Sequence, residues 1–264
     1  MGRIWLNALI GFIVGLAGGL IGLGGAELRL PYLAGTLRLP LKTAVPINLA
    51  VSLITLAASL PARLVALNVA PLKPFAYDTV AMAIGAVVAA YLGVDWLRRV
   101  STTALTRAVF VLLLALGLSM IAEAVFSLSP VGFVADVMAL RLVLALIFGL
   151  VIGAVSGLLG VAGGEIIIPV LILGSGAPVK VAGSLSQMVS IPTVLTGFLR
   201  HLYGGALSDR GMIVHLIAPM GVGAIAGGIF GGLLASAAPA ALLKALLGLI
   251  LIGSAIKIFW RHDQ

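Results

Sequence analysis

One stretch of this chain occurs twice at a fixed spacing. Gly19-Leu-Ile-Gly-Leu-Gly-Gly-Ala-Glu-Leu-Arg-Leu-Pro31 reappears as Gly157-Leu-Leu-Gly-Val-Ala-Gly-Gly-Glu-Ile-Ile-Ile-Pro169, each residue 138 positions beyond its counterpart. The register holds without a gap from residue 11 to residue 64, with 16 identities in 54 positions. The matches include Glu27 with Glu165, Pro31 with Pro169, Pro40 with Pro178 and Lys42 with Lys180. Shared membrane composition would match Leu, Ala and Gly, whereas charged residues and prolines at one offset require a duplication. The chain therefore reads as two related halves, 1–126 and 138–264, joined by a connection over 127–137.

Lipid is the solvent that the composition permits. Of the 264 residues, 62% are hydrophobic and 9% charged, whereas soluble domains carry about 25% charged residues. About 20 apolar residues cross a bilayer core as a helix. Apolar segments lie near 4–33, 44–66, 75–94, 103–126, 138–173, 182–203, 212–235 and 240–260. The expected fold is all-α, each half opening with a glycine-broken or re-entrant helix followed by three membrane helices. The apolar start runs on without a polar mature region, so it reads as the first membrane segment and not as a cleaved signal. The net charge of +8 is spread over short loops with no basic run, which excludes nucleic-acid binding and fits the cytoplasmic enrichment of Lys and Arg. With no cysteine, disulfide and thiolate chemistry are excluded.

Arg3, the group Arg98, Arg99 and Arg107, the loop from Arg200 to Arg210, and Lys257 with Arg261 are expected on the cytoplasmic side. Glu123 and Asp136 suit the outside, although Arg141 lies nearby. These placements agree if the first and fifth segments enter and leave on one side, which makes the halves inverted and both termini cytoplasmic. If those segments span fully, the halves are parallel and Arg98 and Arg99 fall outside. Ile4 to Ile21 is long enough to cross alone.

The glycine breaks at Gly22–Gly25 and Gly160–Gly164 fall at matching places. Unpaired backbone polar groups in lipid cost several kcal/mol each and survive only inside protein or beside a watered cavity. Broken helices at matching points of two repeats mark transporter substrate sites, and the N–H groups that begin a helix attract anions. Gly24, Gly25, Ala26, Gly163 and Gly164 are the resulting backbone candidates. The earlier glycines, Gly11, Gly15 and Gly19, have the small-xxx-small spacing of helix packing. Glu27 and Glu165 follow the breaks, where each could carry a proton through a transport cycle, favour a helix dipole, or pair with a base such as Arg29. On the next segments Asn48, Ser52 and Thr55 correspond to Ser186, Ser190 and Thr193. Their spacing of three and four puts each set on one helix face, with Gln187 alongside. These side chains can coordinate an oxyanion or simply bond helix to helix. Lys42, Lys180, Arg63 and His201 are expected at helix ends, as a vestibule attracting anions or as snorkelling bases.

No cofactor or metal site is read. The three histidines lack ligand spacing with acidic residues, no Walker sequence is present, and Gly183-Ser-Leu-Ser186 has no His–Asp pair to make it a nucleophile.

The two glycine–Glu–Pro segments, with the Pro-x-Lys-x-Ala stretches at Pro40–Ala44 and Pro178–Ala182, resemble the TauE/SafE family of bacterial sulfite and organosulfonate exporters. The resemblance extends over nearly the whole chain. It implies a secondary transporter, not an enzyme, that exports a small sulfur-containing anion and is coupled to an ion. Its partners are then the anion and the bilayer, and a homo-oligomer is compatible with the pattern. Gly25-Ala26 before Glu27, against Gly163-Gly164 before Glu165, makes the half-sites unequal. A passive anion channel and a cation-coupled carrier of another small solute remain the alternatives.

Overall fold

The computed structural model describes residues 2–68, 70–97, 102–126, 137–160, 162–204 and 210–260, and no strand occurs among them. Arg98, Arg99, Asp136 and Arg261, and the side chains of Arg3, Arg107, Glu123, Arg210 and Lys257, lie outside what is described. In chain order the helices of the first half are α1 (Gly2–Ile21), α2 (Ala26–Pro31), α3 (Leu41–Leu67), α4 (Ala76–Leu97) and α5 (Thr102–Phe126). Those of the second half are α6 (Met138–Leu159), α7 (Gly164–Ser175), α8 (Val179–Tyr203), α9 (Arg210–Met212), α10 (Ala218–Leu234) and α11 (Ala240–Trp260). A π-helical turn, Tyr32–Thr36, prolongs α2, and another, Ile213–Ile217, leads into α10. Five stretches among the described residues are long and apolar enough to cross a bilayer: Ile4–Ile21, Lys42–Leu67, Ala70–Leu92, Met138–Gly157 and Ile213–Leu234. Helix α8 matches them in length, at 25 residues, but carries the Ser–Gln–Ser–Thr stripe.

The breaks are built alike in both halves. Gly22 and Gly25 have φ of 104° and 71°, and their counterparts Gly160 and Gly163 have 65° and 74°. An L side chain is disfavoured at these angles, so glycine is required at both corners of each break. After its break each chain doubles back. Gly25 sits against Val14, and the Tyr32 hydroxyl donates to Asn7 Oδ1 at 2.7 Å near the start of α1. Gly163 sits against Ile152, and Ser175 at the end of α7 donates to Asp78, which pairs with Arg141 at the start of α6. Each broken segment is thus a hairpin that leaves at the end where it entered, even though α1 alone has a crossing length.

The earlier glycines seat helices against each other. A Cβ on Gly11 would lie 2.1 Å from Met220 O, and one on Gly149 would lie 2.2 Å from Met82 O. These contacts are one contact repeated, since 149 is 11 plus 138 and 220 is 82 plus 138. Gly15 against Ala224 and Gly153 against Ala86 repeat it one turn later. Through these seats α1 lies beside α10, and α6 beside α4. The pairs Ala8–Gly223, Phe12–Gly227 and Leu16–Gly231 show that α1 and α10 run in the same direction. Helix α3 packs on α10 and α8 on α4, while α5 pairs with α11. The halves therefore exchange helices: each hairpin is seated on a helix of the other half. Helices α3 and α8, which correspond by the offset, meet antiparallel, Ser59 beside Gln187 and Arg63 beside Ser184.

Candidate functional site

The two breaks meet in the middle of the bundle. A Cβ on Gly24 would lie 2.7 Å from the Ala162 Cβ, and one on Gly164 would lie 2.9 Å from Leu23 and 3.0 Å from the Ser186 hydroxyl. Gly22 abuts the backbone of Gly183. The sequence thus keeps side chains short where two turns of backbone must touch. Asn48 spans the junction, its Nδ2 donating to Ala26 O and to Gly160 O, both at 3.0 Å. Ser190 donates to Ala162 O at 2.9 Å. The expected break residues and polar stripes are therefore brought together, and Asn48, Ser52, Ser186, Gln187 and Ser190 are all buried.

Several stripe residues hold the scaffold. Thr55 and Thr193 each donate to a carbonyl one turn back in their own helix, Val51 and Val189, at 2.8 Å. Gln187 Nε2 donates to Ser59 Oγ at 2.9 Å, joining α8 to α3. The Ser186 hydroxyl and Gln187 Oε1 are buried with no hydrogen-bond partner, and the former faces the first residue of α7. These two groups are open to a ligand in a way that Asn48 and Ser190 are not.

Glu27 and Glu165 are buried in the first turns of α2 and α7, where a negative charge favours the helix dipole. The backbone N–H groups of Glu27 itself and of Ala162 face its carboxylate without closing a full hydrogen bond. Arg29 makes no ion pair with Glu27; side chains two apart on a helix point to opposite sides. Instead Arg29, wholly buried, reaches into the first stripe. Its Nη1 donates to Ser52 Oγ at 3.0 Å and to the Asn48 Oδ1 and carbonyl at 3.3 Å, and its Nη2 donates to Thr55 Oγ1 at 3.2 Å and Gly24 O at 3.5 Å. In the sequence Arg29 reads only as a partner for Glu27. Its position one helical turn from Gly25 in a membrane segment was the signal available.

The basic residues do not form one vestibule. Lys42 is exposed and His201 half-buried. Lys180 donates to Ser236 O at 2.5 Å. Arg63 corrects the expectation of a headgroup residue, for it is 0% exposed. Its Nη1 donates to Gly19 O and Leu20 O at 2.7 and 2.8 Å, its Nη2 to Lys180 O at 2.8 Å and its Nε to Ser184 Oγ at 3.2 Å. The carbonyls closing α1 are the negative end of its dipole, which draws a cation inward. Among the described residues no group of three or more His, Asp or Glu side chains could hold a metal ion.

A family model described as Sulfite exporter TauE/SafE matches residues 2–120 and 144–264. No curated protein and no solved structure matches the chain.

Proposed function

We propose, for a chain that belongs to the sulfite exporter TauE/SafE family, that the meeting point of the two breaks is its transport site. Membership makes it a multi-pass membrane transporter and not an enzyme. The finer reading is export of sulfite or a small organosulfonate across a bacterial inner membrane, with both termini cytoplasmic. The observation that carries the site is the contact of Gly24 and Gly164 with the opposite half among buried polar side chains; the sulfur oxyanion as substrate follows the family. Backbone N–H groups at the start of α7 and the Ser186 hydroxyl are the groups offered to the anion, with the Gly24–Ala26 backbone opposite; Gln187, whose Nε2 is given to Ser59 and whose free atom is an acceptor oxygen, lines the site without donating to it.

Antiparallel α3 and α8, and hairpins that return to their own side, support an inverted repeat. Because α1 sits on α10 and α6 on α4, the bodies that move are not the sequence halves. One body is α1, α2, α3 and α10, the other α6, α7, α8 and α4, and the site lies on the α3–α8 seam between them. Burial of the whole site favours a carrier that opens alternately over a passive channel, and Glu27 and Glu165 are the groups that would couple a proton to the anion.

The test is sulfite uptake into proteoliposomes by the wild type and by Gly164→Ala, whose Cβ would stand 2.9 Å from the end of the Leu23 side chain and 3.0 Å from the Ser186 hydroxyl. The expected result is loss of uptake at a melting temperature near that of the wild type, because the end of the Leu23 side chain can give way, with Gly253→Ala, which meets nothing within 4 Å, transporting normally. Undiminished uptake by Gly164→Ala would remove the breaks from the transport path.

A further inference from the structure

We infer that Arg29 is the fixed positive charge against which the transported anion is held, so that the first half-site carries the charge selectivity. The inference rests on the transport reading above and deepens it, naming the group that selects a small oxyanion.

The two buried arginines make the comparison. Both are 0% exposed, and burying a guanidinium without compensation costs several kcal/mol. Arg63 is accounted for by the helix it closes: all three of its nitrogens are engaged, and two of its partners are the terminal carbonyls of α1. Arg29 has no such account. Its fork is held by two hydroxyls, one amide oxygen and backbone carbonyls, none of which carries a formal charge. Its Nε–H, fully buried, has no partner. Among the described residues no carboxylate is placed in ion-pair contact with it, and Glu27, the nearest in sequence, acts on it only through space from another side of α2.

The place of that charge also matters. Arg29 Nη2 lies 3.4 Å from where a Cβ on Gly25 would stand and donates to Gly24 O, so the guanidinium rests on the break itself. The unpartnered Ser186 hydroxyl faces Gly164 on the opposing break. With its fork engaged, what Arg29 has left to give an oxygen of a sulfite, sulfonate or carboxylate is the buried Nε–H and its charge, a charge-assisted donor being the stronger kind; the same charge opposes a cation at that point. The corresponding residue of the second half is Ile167. The half-sites thus differ in charge as well as in their glycines, and charge recognition belongs to the first.

A purely structural Arg29, pinning α2 to α3, gives the same hydrogen bonds, so the experiment must separate affinity from stability. Full-length wild type, Arg29→Lys, Arg29→Gln and Arg63→Gln are purified, melted with rising sulfite, and reconstituted for uptake over a range of sulfite concentrations. Arg29→Gln is expected to raise the half-saturating concentration about a hundredfold and to lose the sulfite-induced rise in melting temperature. Arg29→Lys keeps the charge but loses the Nε–H and the fork that positions it, and is expected to raise half-saturation about tenfold with the maximal rate little changed. Arg63→Gln is expected to lower the melting temperature while half-saturation stays near the wild-type value. Unchanged half-saturation in Arg29→Gln beside a lowered melting temperature overturns the inference. If Arg29→Gln does not fold, Arg29→Lys with wild-type half-saturation overturns it. A wild type that ignores sulfite but is stabilised by sulfate, a response lost in Arg29→Gln, sinks sulfite as substrate and keeps Arg29 as the anion holder. A wild type stabilised by neither oxyanion refutes both.

Discussion

Gly11 and Gly149 offer a perturbation whose size follows from the packing. A Cβ on either would stand 2.1 or 2.2 Å from a backbone oxygen of the facing helix, where ordinary contact begins at 3.4 Å. Neither Met220 O nor Met82 O can swing aside as a side chain could. Alanine at Gly11 therefore forces α1 and α10 apart by about 1.3 Å, the difference between those two distances. Alanine at Gly149 does nearly the same to α6 and α4. Overpacking of this kind costs about 1–3 kcal/mol. At about 2–4 °C per kcal/mol for a chain of this order of size, each variant should melt about 2–12 °C below the wild type. Gly35→Ala, where an added Cβ meets nothing within 4 Å, is the control. The assay is thermal unfolding of purified protein in one detergent at one scan rate. Because the two contacts are related by the repeat, the two depressions should be of similar size. If Gly11→Ala and Gly149→Ala melt with Gly35→Ala, the helices do not touch through these glycines and the exchanged packing is wrong.

Other substitutions separate scaffold from site. Asn48→Ala frees two buried carbonyls, Ala26 O and Gly160 O, at about 1–3 kcal/mol each; melting should fall by several degrees, and an unchanged melting temperature would deny the bridge. Asp78→Asn strands Arg141, whose side chain is 19% exposed, at about 3–5 kcal/mol. The double variant Asp78→Asn with Arg141→Gln should recover much of that loss, and no recovery would mean that the pair is not coupled. Glu27→Gln or Glu165→Gln should leave a sulfite exchange that a proton gradient no longer drives, and full coupling in both would exclude these carboxylates as carriers of the proton.

How far the sequence disclosed this arrangement depended on what each residue must do. The glycine corners were legible because positive φ and close backbone contact both demand glycine, and the duplication printed each requirement twice. The stripes on α3 and α8 were legible because three-and-four spacing fixes a face. Which stripe groups hold the scaffold was not, since Asn48 bonding across to Gly160 O and Ser190 to Ala162 O are contacts between segments remote in sequence. Arg63 was misplaced for the same reason: near a helix end, a base that snorkels outward and a base that turns inward to close α1 have one sequence signature. The exchange of α4 and α10 between bundles left no local mark either, because Met82 and Met220 show only an apolar surface until their glycine partners are known.

The central claim is that the two breaks form one anion site in a carrier. Its most direct test is sulfite accumulation in proteoliposomes containing the purified chain, with and without an imposed proton gradient. Sulfite is expected to rise above its outside concentration when the gradient is applied, and collapsing the gradient is expected to release it. Sulfite that only equilibrates, at a rate indifferent to the gradient, would contradict coupled carriage and leave a passive pore.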